Sequence, residues 1–121
     1  MCEGYAPLEL ADEMPGAEVD WDAERARHPW AFVDDDSWPW HVHAFGLRTP
    51  RGLVLVDAGV SPFPPVRPWA EHTPLEQALR IAGVDPTDVR MVVHTHLHAD
   101  HAGGSVVNGE PRYPNAVHVV H

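Results

Sequence analysis

The residues best equipped for chemistry in this chain of 121 amino acids lie in one stretch, MVVHTHLHADHAGG, residues 91 to 104. Four imidazoles and one carboxylate fall within eight positions there, directly after an apolar run. His96 and His98 are two apart, so an extended backbone projects both from one face, as two ligands of a single ion require. Asp100 and His101 follow as neighbours, and Ala102-Gly103-Gly104 lets the chain turn without a Cβ clash, so this second pair can point elsewhere. A second metal ion is the natural occupant of that position. His94 continues the alternation, and spacing alone admits it as a further ligand. A donor set of imidazoles and a carboxylate favours Zn²⁺, with iron and manganese as alternatives.

Such a cluster needs a rigid edge to stand on. Met91, Val92 and Val93 read as the end of a buried strand spanning 89–93. Before it comes the clearest helix of the sequence. Thr73 is placed to cap it, Pro74 takes the first helical position and Glu76 completes a T-x-x-E capping box. Leu75, Ala78, Leu79 and Ala82 form an apolar stripe, and Gly83 ends the helix. Further upstream, the strand-like residues 40–47, the turn chemistry of Thr49-Pro50-Arg51-Gly52 and the apolar run 53–56 predict a β-hairpin. Its second strand ends in Asp57-Ala58-Gly59, where glycine permits a tight exit. Asp57 thus brings a carboxylate to the end of a buried strand, where by itself it reads as a turn cap.

Residues 61 to 69 hold four prolines and predict an extended connector. Its Phe63 and Trp69 pack on the domain or line a substrate mouth. After the histidine cluster, Asn108-Gly109 signals a turn and 117–120 a strand. His118 and His121 are three apart, which places them on opposite faces of that strand, so they do not read as a pair. His28, His41, His43 and His72 lie outside any ligand-spaced cluster and read as single structural histidines.

The net charge of −10 is concentrated at one end. Residues 1–38 hold eleven acids against two arginines, whereas 39–121 hold seven acids against six arginines, and lysine is absent. That balance argues against nucleic acid and against an anionic membrane as partners, both of which select basic surfaces. The segment 1–38 shows no sustained periodicity and is expected to be loosely ordered, with Asp34-Asp35-Asp36 as a solvated loop. A single cysteine, Cys2, has no internal disulfide partner. No stretch approaches the ~20 apolar residues of a membrane span, and the N-terminus lacks a basic region followed by an apolar core. A cytoplasmic location and a small-molecule substrate are expected.

The pattern His96-x-His98-x-Asp100-His101, with Thr95 before it and Gly103-Gly104 after it, resembles the HxHxDH signature of the metallo-β-lactamase fold superfamily. The phrase from Gly83 to Val89 and the phrase Tyr113-Pro114-Asn115-Ala116 also resemble that family. The resemblance implies an α+β fold, the αββα sandwich, with residues 39–121 as its N-terminal half and one sheet face left uncovered. It implies that His96 and His98 bind one ion and that Asp100 and His101 bind the other, with Asp100 also orienting an attacking hydroxide. It places Asp57 and His94 behind the ligands, supporting them rather than binding metal. Three ligands usual later in the family, two histidines and a bridging aspartate, have no counterpart, so the sequence is expected to be part of a larger hydrolase that is weak in metal binding and activity by itself. A lactone or ester is the first expectation for substrate. A mononuclear iron oxidoreductase of the persulfide dioxygenase type, or a non-catalytic metal-binding module, are the competing readings.

Overall fold

The computed structural model describes residues 1–60 and 71–120, the side chains of Glu71 and His72 excepted. The connector at 61–69 with Phe63 and Trp69, the side chain of His72, and His121 lie outside the described residues. Contrary to the loosely ordered start expected for residues 1–38, Cys2–Glu9 form an eight-residue strand, β1. Its inward side chains are Glu3, Ala6 and Leu8, an alternation that Gly4 and Pro7 mask in the sequence. Two short helices follow, α1 (Leu10–Glu13) and α2 (Trp21–Arg27), the second begun by Asp20, whose side chain accepts from Ala23 N–H. The acidic run is also built in part. Asp34 accepts from the Ser37 hydroxyl and from Asp36 N–H, and these bonds hold its carboxyl below the usual range.

The apolar stretch expected as one strand over 40–47 divides at Ala44. Strand β2 (Ser37–His43) pairs antiparallel with β1, whereas β3 (Phe45–Thr49) forms the expected hairpin with β4 (Gly52–Val56) in a second sheet. Ala44 is fully buried, and its N–H and C=O are bonded to Met1 O and the Met1 ammonium at 2.9 and 2.7 Å. The chain start thus satisfies the backbone groups that the change of sheet exposes. Strand β5 (Glu71–His72) flanks β1 on its other edge, giving the order β2-β1-β5.

Helix α3 (Leu75–Ile81) returns the chain so that β6 (Val89–His94) lies parallel to β4. The capping box expected at Thr73 does not form. Pro74 precedes the helix without a side-chain cap, and Leu75 N–H donates instead to Glu3 Oε1 at 2.9 Å. A buried carboxylate from a distant strand has taken the place of a local one. Leu75, Ala78 and Leu79 face inward as the stripe predicts, while Ala82 is exposed. Leu75 and Leu79 pack with Leu53, Leu55, Val89 and Val92, and Ala44, Ala58 and Tyr113 complete the core.

Helix α4 (Ala99–Ala102) leads into a small hairpin, β7 (Val106–Val107) and β8 (Glu110–Pro111), whose turn puts Asn108 and Gly109 at φ 52° and 84°. The expected last strand, β9 (Val117–Val120), pairs parallel with β6 and completes the order β3-β4-β6-β9. The ladder registers align Phe45, Leu47, Val54, Val56, Met91, Val93, Val117 and Val119 on one face. Among the described residues nothing covers it: Phe45, Leu47 and Val117 are 61%, 53% and 62% exposed. An apolar sheet face of this kind is the uncovered face the resemblance implies.

Candidate metal centre

Strand β6 ends at His94, and the chain crosses the end of the sheet as an irregular loop through Thr95–His98 before α4 begins. His98 leaves from extended backbone, while Asp100 and His101 leave from a helical turn. The ring of His96 sits between the other two, with centroids 4.6 Å from His98 and 4.0 Å from His101.

Asp57 organises this loop. It stands at φ 60°, a left-handed conformation that aspartate tolerates better than most residues. Its Oδ1 accepts from Thr95 N–H at 2.8 Å, and its Oδ2 accepts from His101 Nδ1 at 2.8 Å. The Thr95 hydroxyl lies 3.0 Å from both carboxylate oxygens, and 3.1 and 3.2 Å from His96 and His101 Nδ1. Burial pushes the Asp57 carboxyl up, but the bonds from His101 and Thr95 outweigh it and hold the group below its ordinary value.

Backbone contacts fix the loop from beneath. Ala58 N–H donates to His101 O at 2.7 Å, Gly104 N–H donates to Gly59 O at 3.0 Å, and Arg112 Nε donates to Gly104 O at 2.7 Å. A Cβ on Gly104 would run into the Ala58 carbonyl. Close approach, rather than a left-handed turn, is what that glycine provides.

His101 is the best test of whether a cation fits. Its Nδ1 lies 2.8 Å from Asp57 Oδ2 and its Nε2 3.0 Å from Asp100 Oδ2, so with Nδ1–H donated to Asp57 a neutral ring would face Asp100 with a lone pair. Two acceptors in that position need a second proton on the ring or a shared cation. Two ligand atoms at about 2.0–2.1 Å from one ion lie roughly 3 Å apart, so the pair fits one.

The residues expected around the motif divide into two groups. His96, His98, Asp100, His101 and Asp57 are brought together. His94 is not among them: it is buried, and its Nε2 lies 2.9 Å from His118 Nδ1 in a stacked pair. Its position puts it behind the loop, with His118 as partner. Reading His118 only against His121 missed this contact, because parallel pairing aligns Val92 with His118 and so brings His94 alongside. Thr95 was also missed as a positioning group, although a hydroxyl residue between two histidines was visible. Among the described residues, the group of three whose donor atoms all lie within 4.8 Å of one another is Cys2, His41 and His43, not the motif.

Comparison with known proteins places this geometry. The family model of the metallo-beta-lactamase superfamily matches residues 37–107, and the chain belongs to that superfamily. Mouse metallo-beta-lactamase domain-containing protein 1 is 49% identical over 53 residues, covering 44% of this chain and 17% of that protein. The N-acyl homoserine lactonase AttM of Azorhizobium caulinodans is 45% identical over 42 residues, covering 35% and 14%. Among solved structures, AidC, described as a dizinc quorum-quenching lactonase, superposes with a TM-score of 0.75 at 23% identity, covering 97% of this chain and 38% of AidC. A probable metal-dependent hydrolase from Staphylococcus aureus gives 0.74 at 19% identity, covering 96% and 43%. The chain therefore spans less than half the length of these relatives, and the likeness in structure establishes the metallo-β-lactamase fold. No helix of the described residues is long and apolar enough to cross a membrane.

Proposed function

We propose that residues 39–121 supply the N-terminal half of a metal-dependent hydrolase, in which His96 and His98 hold one divalent ion and Asp100 and His101 a second. The observation that carries this reading is the place of His101 between two carboxylates, Nδ1 2.8 Å from Asp57 Oδ2 and Nε2 3.0 Å from Asp100 Oδ2. Zn²⁺ suits the donors, and AidC, described as dizinc, supports two ions. Bound there, such ions lower the pKa of water towards about 7 and polarise an electrophile. The chain's own residues do the positioning. Asp57 fixes the His101 tautomer, and Thr95 ties that carboxylate to the start of the loop. Asp100 is the catalytic residue, orienting the attacking oxygen.

A lactone or ester is the substrate class we favour, supported by the descriptions of AttM and AidC as lactonases. The test is lactone hydrolysis, followed by proton release, in a polypeptide carrying this segment together with a second half-domain. His96→Ala, His98→Ala, Asp100→Ala and His101→Ala are each expected to lower the rate at least about a hundredfold and to release metal. His28→Ala is expected to leave both unchanged. Equal losses at all five positions would sink the assignment.

A further inference from the structure

We propose that Cys2, His41 and His43 form a second metal site, a thiolate-bis-imidazole clasp for a borderline-soft divalent cation of the Zn²⁺ type on the outer face of the β1–β2 ladder. The site is built by strand geometry. His41 and His43 are two apart on β2, so both project from one face, and their rings stack 9° from parallel with centroids 5.6 Å apart. Directly paired residues on neighbouring strands share a face, and Tyr5 pairs with His41. Regular antiparallel pairing would continue to Glu3 opposite His43. Instead the register shifts between Cys2 and Gly4, where Gly4 has φ 136°, and Cys2 becomes the partner of His43. One irregularity thus buries Glu3 and brings a thiol to the histidine face.

The donor atoms of the three residues already lie within 4.8 Å of one another. Tetrahedral ligation at about 2.3 Å from sulfur and 2.0–2.1 Å from nitrogen separates donors by roughly 3.5 Å. Closing the remaining gap needs only side-chain rotation, for which three exposed side chains are free. The thiol makes a weak contact, Sγ to Gly4 O at 3.6 Å, which a metal ion would replace. A thiolate with two neutral imidazoles is a donor set that selects Zn²⁺ over Mg²⁺ or Ca²⁺, and three protein ligands leave a fourth position for water. Binding releases the thiol proton to solvent, so affinity rises with pH. Unlike the motif, this site contains sulfur.

That difference decides the experiment. Cys2 is the one cysteine of the chain, so a sulfur-to-cobalt charge-transfer absorption on adding Co²⁺ under a non-thiol reductant reports this site alone. The band is expected in the unmodified chain, to vanish in Cys2→Ser and in the double variant His41→Ala/His43→Ala, and to survive in His96→Ala/His98→Ala. Circular dichroism checks that each variant folds. A second reading needs no variant: Zn²⁺ is expected to slow alkylation of Cys2, and Mg²⁺ is not. Absence of the band, its survival without His41 and His43, or an alkylation rate indifferent to Zn²⁺ would overturn the site.

Discussion

Among the described residues two clusters of histidine face solvent, and they are assembled in opposite ways. The motif cluster is continuous in sequence; Asp57 and Thr95 meet the His101 and His96 rings, and the backbone of Ala58 and Gly59 holds the loop itself. The Cys2, His41 and His43 cluster is dispersed in sequence, joined by one strand pairing and one register shift, with the rings of Tyr5 and Phe45 beside its imidazoles. The first pays for its precision with committed hydrogen bonds. The second gathers three donor atoms within 4.8 Å of one another on exposed side chains. Density in sequence therefore measures how strongly a site is specified, not how near its donor atoms stand.

The largest break in this comparison is expected from Gly104→Ala. Its new methyl would meet the Ala58 carbonyl, which is backbone and cannot rotate away. We expect a loss of about 2–4 kcal/mol in urea unfolding, in line with overpacking plus a displaced backbone bond. Thiol reactivity at Cys2 should hardly change, because the insult stays within the motif loop. A midpoint shift below about 0.5 kcal/mol would show that the loop is not clamped there.

Glu3→Ala should come next and should strike both clusters. Glu3 is 2% exposed, accepts from Val60 N–H at 2.7 Å and Leu75 N–H at 2.9 Å, and packs its carboxylate against Gly59. Burial pushes its carboxyl above the ordinary value despite these bonds and the Arg112 charge. Truncation leaves two inward N–H groups without an acceptor, at roughly 1–3 kcal/mol for such a loss. It also removes the residue whose inward turn brings Cys2 opposite His43. The expected signature is lower stability together with faster, Zn²⁺-insensitive alkylation of Cys2.

A smaller effect sharpens the contrast from the motif side. Asp57→Asn keeps the size of the side chain but offers one acceptor oxygen where two are used. Either Thr95 N–H or His101 Nδ1 then loses its acceptor, at about 1 kcal/mol. In the polypeptide with a second half-domain, lactone hydrolysis should fall by roughly 10–100-fold through reduced metal affinity, with added Zn²⁺ restoring part of it. A rate unchanged at limiting Zn²⁺ would remove Asp57 from the site.

The same contrast governs what was legible in the sequence. Local signals survived: the hairpin at Thr49–Gly52, the stripe of α3, strand β6 and the Asn108-Gly109 turn all stand where periodicity and turn chemistry put them. Features that depend on distant pairing did not. Strand β1 was hidden because Gly4 and Pro7 dilute its alternation, and the helix cap was misassigned to Thr73 because the group that meets Leu75 N–H comes from Glu3. His41 and His43 read as isolated because their third partner lies across a ladder. In the motif, Asp57 was suspected from its strand-end position, whereas the hydroxyl of Thr95 and the His94–His118 contact needed three dimensions.

The His94–His118 pair offers the smallest effect and the cleanest sign. Burial, and then the neighbouring His94, hold the His118 imidazole below its ordinary value. The folded chain therefore takes up this proton less readily than the unfolded chain, whose imidazole titrates near 6.5. Stability from the neutral pair is fully present above that pH. It is lost as pH falls through about 6.5 toward the lower folded value, and it changes no further below that. Replacing His118 by Asn removes the titration while keeping a side chain that can still meet His94 Nε2. The urea midpoint of the unmodified chain should thus fall more between about pH 8 and pH 5 than that of His118→Asn, the two differing least at the alkaline end. An identical pH dependence in the two proteins would mean that β9 does not hold His118 against His94.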